Sequence, residues 1–188
     1  MGAESLVREA GIDSDPIVAL IRGGDFRTVV ACCARDHGFA LGRLCMGFLG
    51  SQADAEEAAQ ETLIAAFDAM SGYRGEGSFR AWLYAIARRV CARRVETRIR
   101  RDARLRLVRG DEVDVPGADV LLATRRRAER VRAALEELKP SERDAVVLRY
   151  ESDLSFREVA IACGIDEPAA RKRVSRALER LRESLGDE

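Results

Sequence analysis

The sequence is poor in histidine and in ordered cysteine patterns. His37 is the only histidine among 188 residues. The five cysteines follow no CxxC spacing; they are Cys32, Cys33, Cys45, Cys91 and Cys163. Because structural zinc sites use closely spaced Cys and His ligands, we predict no metal site and expect the thiols to be buried as small apolar side chains. With neither a P-loop nor paired carboxylates, no catalytic residue is predicted, and we expect neither enzymatic activity nor a cofactor.

Long apolar runs are also missing. No apolar stretch approaches the ~20 residues that a membrane-spanning helix needs. The first residues carry no positively charged leader followed by an apolar core, which is the pattern of a secretion signal. We therefore expect a cytoplasmic protein that does not insert into a membrane.

The chain has no net charge, since 32 basic side chains balance 32 acidic ones. Neutrality argues against nucleic acid as a partner, because affinity for phosphate comes from clustered Lys and Arg. The distribution, however, is uneven. Arginines crowd residues 88–109, where only Glu96 and Asp102 oppose them. Carboxylates cluster upstream instead, at Asp54, Glu56, Glu57 and Glu61. The net charge of zero therefore results from an acidic segment, or acidic pole, and an arginine-rich segment, or basic pole, that cancel.

Aromatic residues are scarce, at 5% of the chain, and β-branched runs are few. Ala, Leu, Arg and Glu are prominent instead, which is typical of packed amphipathic helices. The expected fold class is all-α, and the length suits two small helical domains joined by a short linker. An acidic run with Pro and Gly at 111–117 marks the linker. The predicted segments are a flexible N-terminus at 1–14, a first domain at 15–108, a linker at 109–123 and a second domain at 124–188.

Glycines and capping residues divide the first domain. Apolar residues at helical spacing span 25–49, either as two helices broken near Gly38 or as one kinked helix. Ser51, followed three residues later by an acid, opens a further helix with an acidic outer face. Residues 71–78 are too glycine-rich for a helix and form what we call the glycine loop. After it, apolar residues at three- and four-residue steps predict a helix that ends in the arginine-rich segment.

The second domain ends in a predicted helix-turn-helix over 155–185. Ser141 and Ser155 have capping-box form, so each is expected to start a helix. Gly164 provides the tight turn, and the last helix starts near 166–168. The outer face of that helix is basic and polar, and such a face can meet a major groove and its phosphates. The residues expected there are Arg171, Lys172, Ser175, Arg176 and Arg180.

Three N-terminal segments resemble the second conserved region of the extracytoplasmic-function (ECF) sigma factors, which belong to the sigma-70 family of bacterial RNA polymerase sigma factors. They are the acidic Gln-Glu segment 54–63, Tyr73-Arg74-Gly75 in the glycine loop, and the Trp-Leu-Tyr segment 79–88. C-terminal segments are similar to the family's fourth region; they are 135–140, 143–150 and 155–185. The resemblance implies a helical alternative sigma factor that directs RNA polymerase to specific promoters in a stress or environmental response.

The resemblance also implies the partners. They are core RNA polymerase, through the coiled coil of its largest subunit and its flap, then promoter DNA, and an anti-sigma factor that holds the protein inactive. The protein would associate with the nucleoid when active, and an anti-sigma factor would be able to hold it at the membrane. The residues at the family's core-docking positions are Asp54, Glu57, Gln60 and Glu61. Carboxylates and a carboxamide suit an arginine-bearing coiled coil.

Two sets of residues are implied in DNA binding. At the positions that contact the minus-ten element and capture a flipped base stand Tyr73, Arg74, Ser78, Arg80, Trp82, Arg88 and Arg89. At the positions that contact the minus-thirty-five element stand Arg149, Arg171, Lys172, Arg173, Ser175 and Arg176. Trp82, like Phe79, lies on an apolar helix face, so a place in the core is an alternative to stacking on a base. Capture of unpaired bases would shift the melting equilibrium without ATP.

The sequence departs from the family at two positions. Pro168-Ala169-Ala170 stands where Gly-Thr-Val usually begins the recognition helix, and Arg89 stands where Asn is common. The first change removes a hydroxyl and the second replaces an amide by a charge, so both bear on promoter preference. The main alternative function is a stand-alone helix-turn-helix transcriptional regulator. It would need a dimer seam or an effector pocket, and it would leave the acidic helix and the glycine loop without a role.

Overall fold

The protein is built of helices in a computed structural model that describes residues 16–75, 77–106 and 121–186. The helices are α1 Pro16–Arg22, α2 Phe26–Leu49, α3 Gln52–Ala69, α4 Phe79–Arg106, α5 Leu121–Glu137, α6 Pro140–Glu151, α7 Phe156–Cys163 and α8 Glu167–Leu185, with a 3₁₀ turn at Met70–Gly72. Within these described residues there is no strand, and the all-α prediction is confirmed. The predicted flexible N-terminus at 1–14 and most of the predicted linker, 109–120, lie outside the described residues.

The second helix is continuous. Asp25 caps its N-terminus, because the Asp25 carboxylate accepts a hydrogen bond from the N–H of Thr28 at 3.2 Å. Gly38 lies inside the helix, so the alternative of two helices broken at that residue is wrong. The helix ends at Gly50, which has a φ of 70° and donates its N–H to the carbonyl of Met46.

Helices α2, α3 and α4 pack together as an N-terminal bundle. Large apolar side chains fill the core from α2 and α4, and small ones from α3 allow that helix to approach closely. The buried residues include Leu41, Leu44 and Phe48 of α2, Ala55, Ala58 and Ala66 of α3, and Leu83 and Val90 of α4. In the described part of the chain, no helix has the length and apolar character to cross a bilayer.

Three cysteines lie in this core. Cys33, Cys45 and Cys91 are buried, whereas Cys32 and Cys163 are half-buried. The thiols of Cys45 on α2 and Cys91 on α4 hydrogen-bond to each other. That hydrogen bond and burial raise the pKa of Cys91 well above its usual range, so this thiol is neutral at physiological pH. The expectation of buried thiols is confirmed for these three positions.

The C-terminal helices contain the predicted helix-turn-helix. Ser155 caps α7, because its Oγ accepts a hydrogen bond from the N–H of Glu158, whose carboxylate accepts one from the N–H of Ser155. Gly164 ends α7 with a φ of 66°, a backbone conformation that favours glycine. Asp166 then caps α8 by accepting a hydrogen bond from the N–H of Ala169 at 2.7 Å. The predicted caps and turn of this motif are confirmed.

Helix α6 starts without a side-chain cap. Pro140 is its first residue, and Lys139 at the N-cap position makes no capping hydrogen bond through its side chain. Ser141 is exposed within the first turn, so the prediction that it caps the helix is wrong. The fixed φ of proline suits the first helical position, and it places the start of α6 before the serine.

Replacing the two serines separates the true cap from the apparent one. Ser155→Ala is expected to lower the free energy of unfolding by about 1 kcal/mol, because the N–H of Glu158 loses its acceptor. Ser141→Ala is expected to change that free energy by less than about 0.5 kcal/mol, as exposed substitutions generally do. Urea denaturation followed by circular dichroism measures both. A loss for Ser141→Ala as large as that for Ser155→Ala would contradict the start of α6 at Pro140.

Candidate nucleic-acid interface

The outer face of α8 lies opposite its buried stripe. Ala170, Val174 and Ala177 are buried, and α8 packs on α6 and α7. The helical period then turns the positions between them outward. Arg171, Lys172, Ser175 and Arg176 are exposed, and Arg173 is half-buried. The structure therefore gathers every predicted minus-thirty-five residue except Arg149 on one helix.

Phe156, the first residue of α7, stands between two arginines. The guanidinium of Arg171 lies 4.5 Å from the centroid of its ring, and that of Arg149 lies 5.2 Å from it. Arg149 also donates to the carbonyl of Leu154 at 2.9 Å, and Arg171 pairs with Glu167 one turn earlier in α8. Arg149 thus fixes the connection between α6 and α7 and holds its charge near Arg171. Sequence reasoning did not identify Phe156 as the residue that brings the two together.

Arg180 does not belong to the outer face of α8. Its Nη1 donates to the carboxylate of Glu142 at 2.6 Å, and Glu142 is only 4% exposed. This charge-assisted hydrogen bond ties α8 to α6. The expectation that Arg180 points outward with Arg176 is wrong, because the buried carboxylate of α6 holds its guanidinium.

The acidic side chains of α3 meet the arginines of α4. Arg94 donates to Glu57 at 2.9 Å and to Glu61 at 3.0 Å, and Arg93 donates to Glu61 at 3.1 Å. The hydrogen bond to Glu57, followed by that to Glu61, raises the pKa of Arg94 against the effect of burial. Of the predicted core-docking residues, Glu57 and Gln60 are exposed, and Asp54 and Glu61 are half-buried. The acidic and basic poles of the sequence are therefore adjacent in space.

An aromatic cluster anchors the glycine loop. The ring of Tyr73 lies 5.6 Å from that of Phe79 and 5.1 Å from that of Trp82, measured between centroids. The Tyr73 hydroxyl donates to the carbonyl of Gly77 at 3.2 Å. Phe79 is 2% exposed, so its place in the core is confirmed, while Trp82 is half-buried at the edge of the core. Arg74 is exposed on the loop.

Ser78 starts α4 and joins it to α7. Its Oγ accepts a hydrogen bond from the N–H of Ala81 at 3.1 Å and donates one to the carboxylate of Glu158 at 2.7 Å. Arg80 donates to the same carboxylate at 3.3 Å and to the carbonyl of Asp153 at 3.3 Å. Two predicted minus-ten residues are thus bound to the C-terminal helices.

Arg88 is held in the same way. Its Nη1 donates to the carboxylate of Asp144 at 2.8 Å, and its Nε donates to the carbonyl of Ala162 at 3.2 Å. Burial raises the pKa of Asp144, although the hydrogen bond from Arg88 opposes that effect. Arg89, next along α4, is exposed. Asp144 lies 56 residues beyond Arg88 in the chain, so no local sequence pattern predicts this ion pair.

Two family models match the chain. Sigma-70 region 2 matches residues 34–104, and Sigma-70, region 4, matches residues 128–181. Together the two matches cover more than half of the chain. The first runs from within α2 to near the end of α4, and the second runs from within α5 into α8. Every predicted docking and DNA-binding residue lies inside one of them.

Several curated relatives are similar to this chain over most of its length. It is 30% identical over 157 residues to the ECF RNA polymerase sigma factor SigE of Mycolicibacterium smegmatis, which covers 80% of this chain and 59% of the relative. It is 32% identical over 142 residues to the probable RNA polymerase sigma-C factor of Mycobacterium bovis, with 72% of each covered. It is 29% identical over 180 residues to the RNA polymerase sigma factor CnrH of Cupriavidus metallidurans, with 90% and 93% covered. The alignments span 59% of SigE but only 46% of SigG of Mycobacterium tuberculosis.

Two solved structures share the fold. The structure of CnrH in complex with the cytosolic domain of CnrY aligns with a TM-score of 0.65 and 25% identity, covering 90% of this chain and 94% of that chain. The sigma factor RpoE in complex with the anti-sigma factor NepR from Bartonella quintana aligns with a TM-score of 0.61 and 25% identity, covering 86% and 96%. Both structures are complexes with a second protein.

Proposed function

This chain belongs to the ECF group of the sigma-70 family, and we propose that it directs core RNA polymerase to specific promoters as an alternative sigma factor. The observation that carries the proposal is the presence of region 2 and region 4 in one chain. Region 2 supplies an acidic helix, α3, and a basic helix, α4, and region 4 supplies the exposed basic face of α8. The family acts in transcription initiation, and the proposal assigns no reaction, metal or cofactor to the chain. The protein would act in the cytoplasm, at the nucleoid.

The surface proposed to dock on core polymerase is the exposed side of α3. Glu57 and Gln60 are open to solvent there, and Glu61 lies beside them. The carboxylates of Glu57 and Glu61 already accept hydrogen bonds from the arginines of α4. Arginines of a polymerase coiled coil would offer the same charge-assisted bonds to the acceptor positions that remain. Asp54, in the first turn of α3, completes the surface.

The minus-ten element is proposed to bind where the glycine loop meets α4. Arg74 and Arg89 are exposed and suit phosphates, and Tyr73 and Trp82 offer rings on which an unpaired base can stack. Ser78, Arg80 and Arg88 line the same stretch of α4. Binding only the unpaired strand shifts the melting equilibrium toward the open promoter, and no ATP is required.

The minus-thirty-five element is proposed to bind the outer face of α8. Arginine and lysine reach base edges and phosphates from a helix in a major groove. Arg149 and Arg173, at the edge of this face, suit phosphate contacts that fix the register of the helix. The replacement of the usual Gly-Thr-Val by Pro168-Ala169-Ala170 removes a hydroxyl at the start of the helix, so promoter preference would differ from that of typical relatives.

A regulatory partner is part of the proposal. The RpoE structure contains the anti-sigma factor NepR, and the CnrH structure contains the cytosolic domain of CnrY. By similarity, we expect an anti-sigma factor to bind this chain and to keep it from core polymerase until a stress or environmental signal arrives. Such a partner would also be able to hold it at the membrane. The alternative of a stand-alone regulator is not favoured, because it does not account for the region 2 match.

Replacing Arg171 and Arg176 is expected to weaken promoter recognition while leaving core binding intact. Each arginine is exposed on α8, and loss of a groove or phosphate contact costs about 1–3 kcal/mol. The holoenzyme with Arg171→Ala plus Arg176→Ala should therefore bind a promoter fragment at least about tenfold more weakly. Electrophoretic mobility shift assays measure this, with promoter fragments first identified by run-off transcription of fragments of the source genome.

The matched control removes two other exposed arginines from the C-terminal helices. Arg127→Ala plus Arg182→Ala changes the net charge equally, and both residues lie outside the proposed site. Promoter affinity should fall little in this control. Equal losses in the two double variants would show that net charge, and not the face of α8, governs promoter binding.

A further inference from the structure

One aromatic ring connects the three helices around the helix-turn-helix. The ring of Phe156, at the start of α7, has its centroid 5.2 Å from the guanidinium of Arg149 on α6 and 4.5 Å from that of Arg171 on α8. Both distances fall within the range of about 6 Å over which the face of a ring attracts a cation. These three residues, which we call the Phe156 stack, bring a cation from α6 and a cation from α8 together on one side chain.

Hydrogen bonds hold the turn that carries the ring. The Oγ of Ser155 accepts from the N–H of Glu158 at 3.2 Å, and the Glu158 carboxylate accepts from the N–H of Ser155 at 2.9 Å. Arg149 is held from the other side of the turn, because its Nη1 donates to the carbonyl of Leu154 at 2.9 Å. The backbone next to the ring and one of the two cations are thus both fixed before any ligand binds.

The Phe156 stack carries more positive than negative charge. Arg171 pairs with Glu167, and Arg149 makes no ion pair among the described side chains. The side chains of Arg171 and Glu167 are 58% and 39% exposed, so their pair is of the weak surface kind, and another anion can compete for the guanidinium. Two guanidiniums with one carboxylate leave one positive charge uncompensated. A phosphate group would neutralise it and would accept hydrogen bonds from both arginines.

The ring itself offers DNA no hydrogen bond. A phenylalanine side chain has neither a donor nor an acceptor, and Phe156 is half-buried against the core. Its contribution to DNA binding therefore has to pass through the two guanidiniums that it contacts. Arginine has many rotamers, and a side chain that is held in one conformation beforehand loses less entropy when it binds.

We propose that Phe156 is a positioning residue for promoter binding, whose ring holds Arg149 and Arg171 ready for phosphates of the DNA backbone. The inference rests on the proposed function, because that function places the minus-thirty-five duplex on the outer face of α8. It adds a residue that acts on DNA affinity without a hydrogen bond to DNA. Phosphate contacts fix the register of a recognition helix, so the Phe156 stack sets how α8 lies in the major groove.

The test measures duplex binding by the full chain without polymerase, because phosphate contacts do not depend on sequence. Fluorescence anisotropy with a fluorescein-labelled duplex of mixed sequence, at several salt concentrations, gives both the affinity and its salt slope. Phe156→Leu keeps an apolar side chain and removes the ring face. It should weaken binding roughly threefold to tenfold and reduce the salt slope by about one. Phe156→Tyr keeps the ring and should bind at least as tightly as the wild type.

The matched control is Tyr150→Leu, the same kind of change beside the same arginine. Tyr150 is 55% exposed, and the guanidinium of Arg149 lies 6.0 Å from its ring centroid, at the limit of a favourable contact. This variant should lose less than about twofold in affinity. Urea denaturation should give similar midpoints for the Leu and Tyr variants of Phe156, and Phe156→Met is the second ring-free variant if the leucine chain is unstable.

A combined variant tests whether Phe156 acts through the arginines. Phe156→Leu added to Arg149→Ala plus Arg171→Ala should cause no further loss, because the ring then has nothing to position. A further loss would contradict the positioning role, since the ring would then contribute to DNA binding by itself.

The outcomes separate the two proposals. A leucine variant with the affinity and salt slope of the wild type would overturn the positioning role, and so would an equal loss from Tyr150→Leu. Neither result depends on whether the chain directs promoter-specific transcription with core polymerase. A chain that shows the expected losses but supports no such transcription would establish the phosphate site and contradict the proposed function.

Discussion

A chain with Gln60→Ala plus Glu61→Ala is expected to lose most of its affinity for core RNA polymerase. Both residues lie on the α3 surface proposed for docking, where Gln60 is exposed and Glu61 is half-buried. Truncating a central polar side chain of an interface typically reduces the binding free energy by about 2–4 kcal/mol. This corresponds to a loss of roughly 30-fold to 1000-fold in affinity. Titration of fluorescently labelled chain with purified core enzyme measures this affinity directly.

The matched control lies on the same helix. Gln52→Ala plus Glu56→Ala removes one amide and one carboxylate from the first turns of α3, where the two side chains hydrogen-bond to each other at 2.6 Å. These changes should alter core affinity by less than about tenfold, as truncations at an interface rim do. An unchanged affinity for the Gln60 and Glu61 variant would place the docking surface elsewhere. Similar losses in both variants would attribute binding to the charge of α3 as a whole.

Phe79→Ala is expected to destabilise the N-terminal bundle by about 3–5 kcal/mol. Phe79 is 2% exposed and packs on Tyr73 and Trp82, so its removal leaves a cavity and breaks an aromatic cluster. Small domains are stable by only about 5–15 kcal/mol, so this single change would leave the bundle marginally folded. Trp82 is the only tryptophan in the chain, and its ring lies 5.3 Å from that of Phe79. Urea denaturation followed by tryptophan fluorescence therefore reports on this bundle.

Phe39→Ala makes the same chemical change at an exposed position. Phe39 is 82% exposed on α2, and its replacement should change the free energy of unfolding by less than about 0.5 kcal/mol. A small effect at both positions would contradict the core role of Phe79. It would also restore the alternative that Phe79 stacks on a promoter base.

The helices of this protein follow from local chemistry that the sequence displays. Ser155 and Asp166 are caps whose acceptors serve N–H groups three residues ahead, and Gly164 is the turn between them, so this motif was predictable from spacing alone. Ser141 has the same pattern and caps nothing, because Pro140 already starts α6. Gly38 did not break α2, since the apolar face of that helix continues on both sides of it. A capping pattern therefore predicts the start of a helix only when the residues next to it are also considered.

The candidate site was predictable only where it belongs to a single helix. The exposed face of α8 follows from its periodicity, because the buried stripe dictates which arginines face outward. Arg180 departs from that rule through a carboxylate on another helix. The partners of Arg80 and Arg88 were still harder to predict, since they lie 78 and 56 residues away in the chain. Which carboxylate reaches which arginine depends on how α7 and α6 pack on α4, and no spacing in the sequence encodes that packing.

The absence of net charge has a more specific explanation in the structure than in the sequence. The sequence indicated that the net charge of zero results from an acidic segment and a basic segment that cancel. Arg94 instead bridges Glu57 and Glu61 across α3 and α4, and Arg80 and Arg88 of region 2 reach carboxylates of region 4. Part of the charge balance is thus made of ion pairs within the protein.

Transcription reconstituted from purified core polymerase, nucleotides and fragments of the source genome tests the central claim most directly. The account predicts that adding the chain, free of any anti-sigma factor, produces transcripts with defined start sites that are absent with core polymerase alone. Those transcripts should also be lost with the Gln60 and Glu61 variant. A chain that neither binds core polymerase nor changes where transcription begins would contradict its proposed role as a promoter-specificity factor.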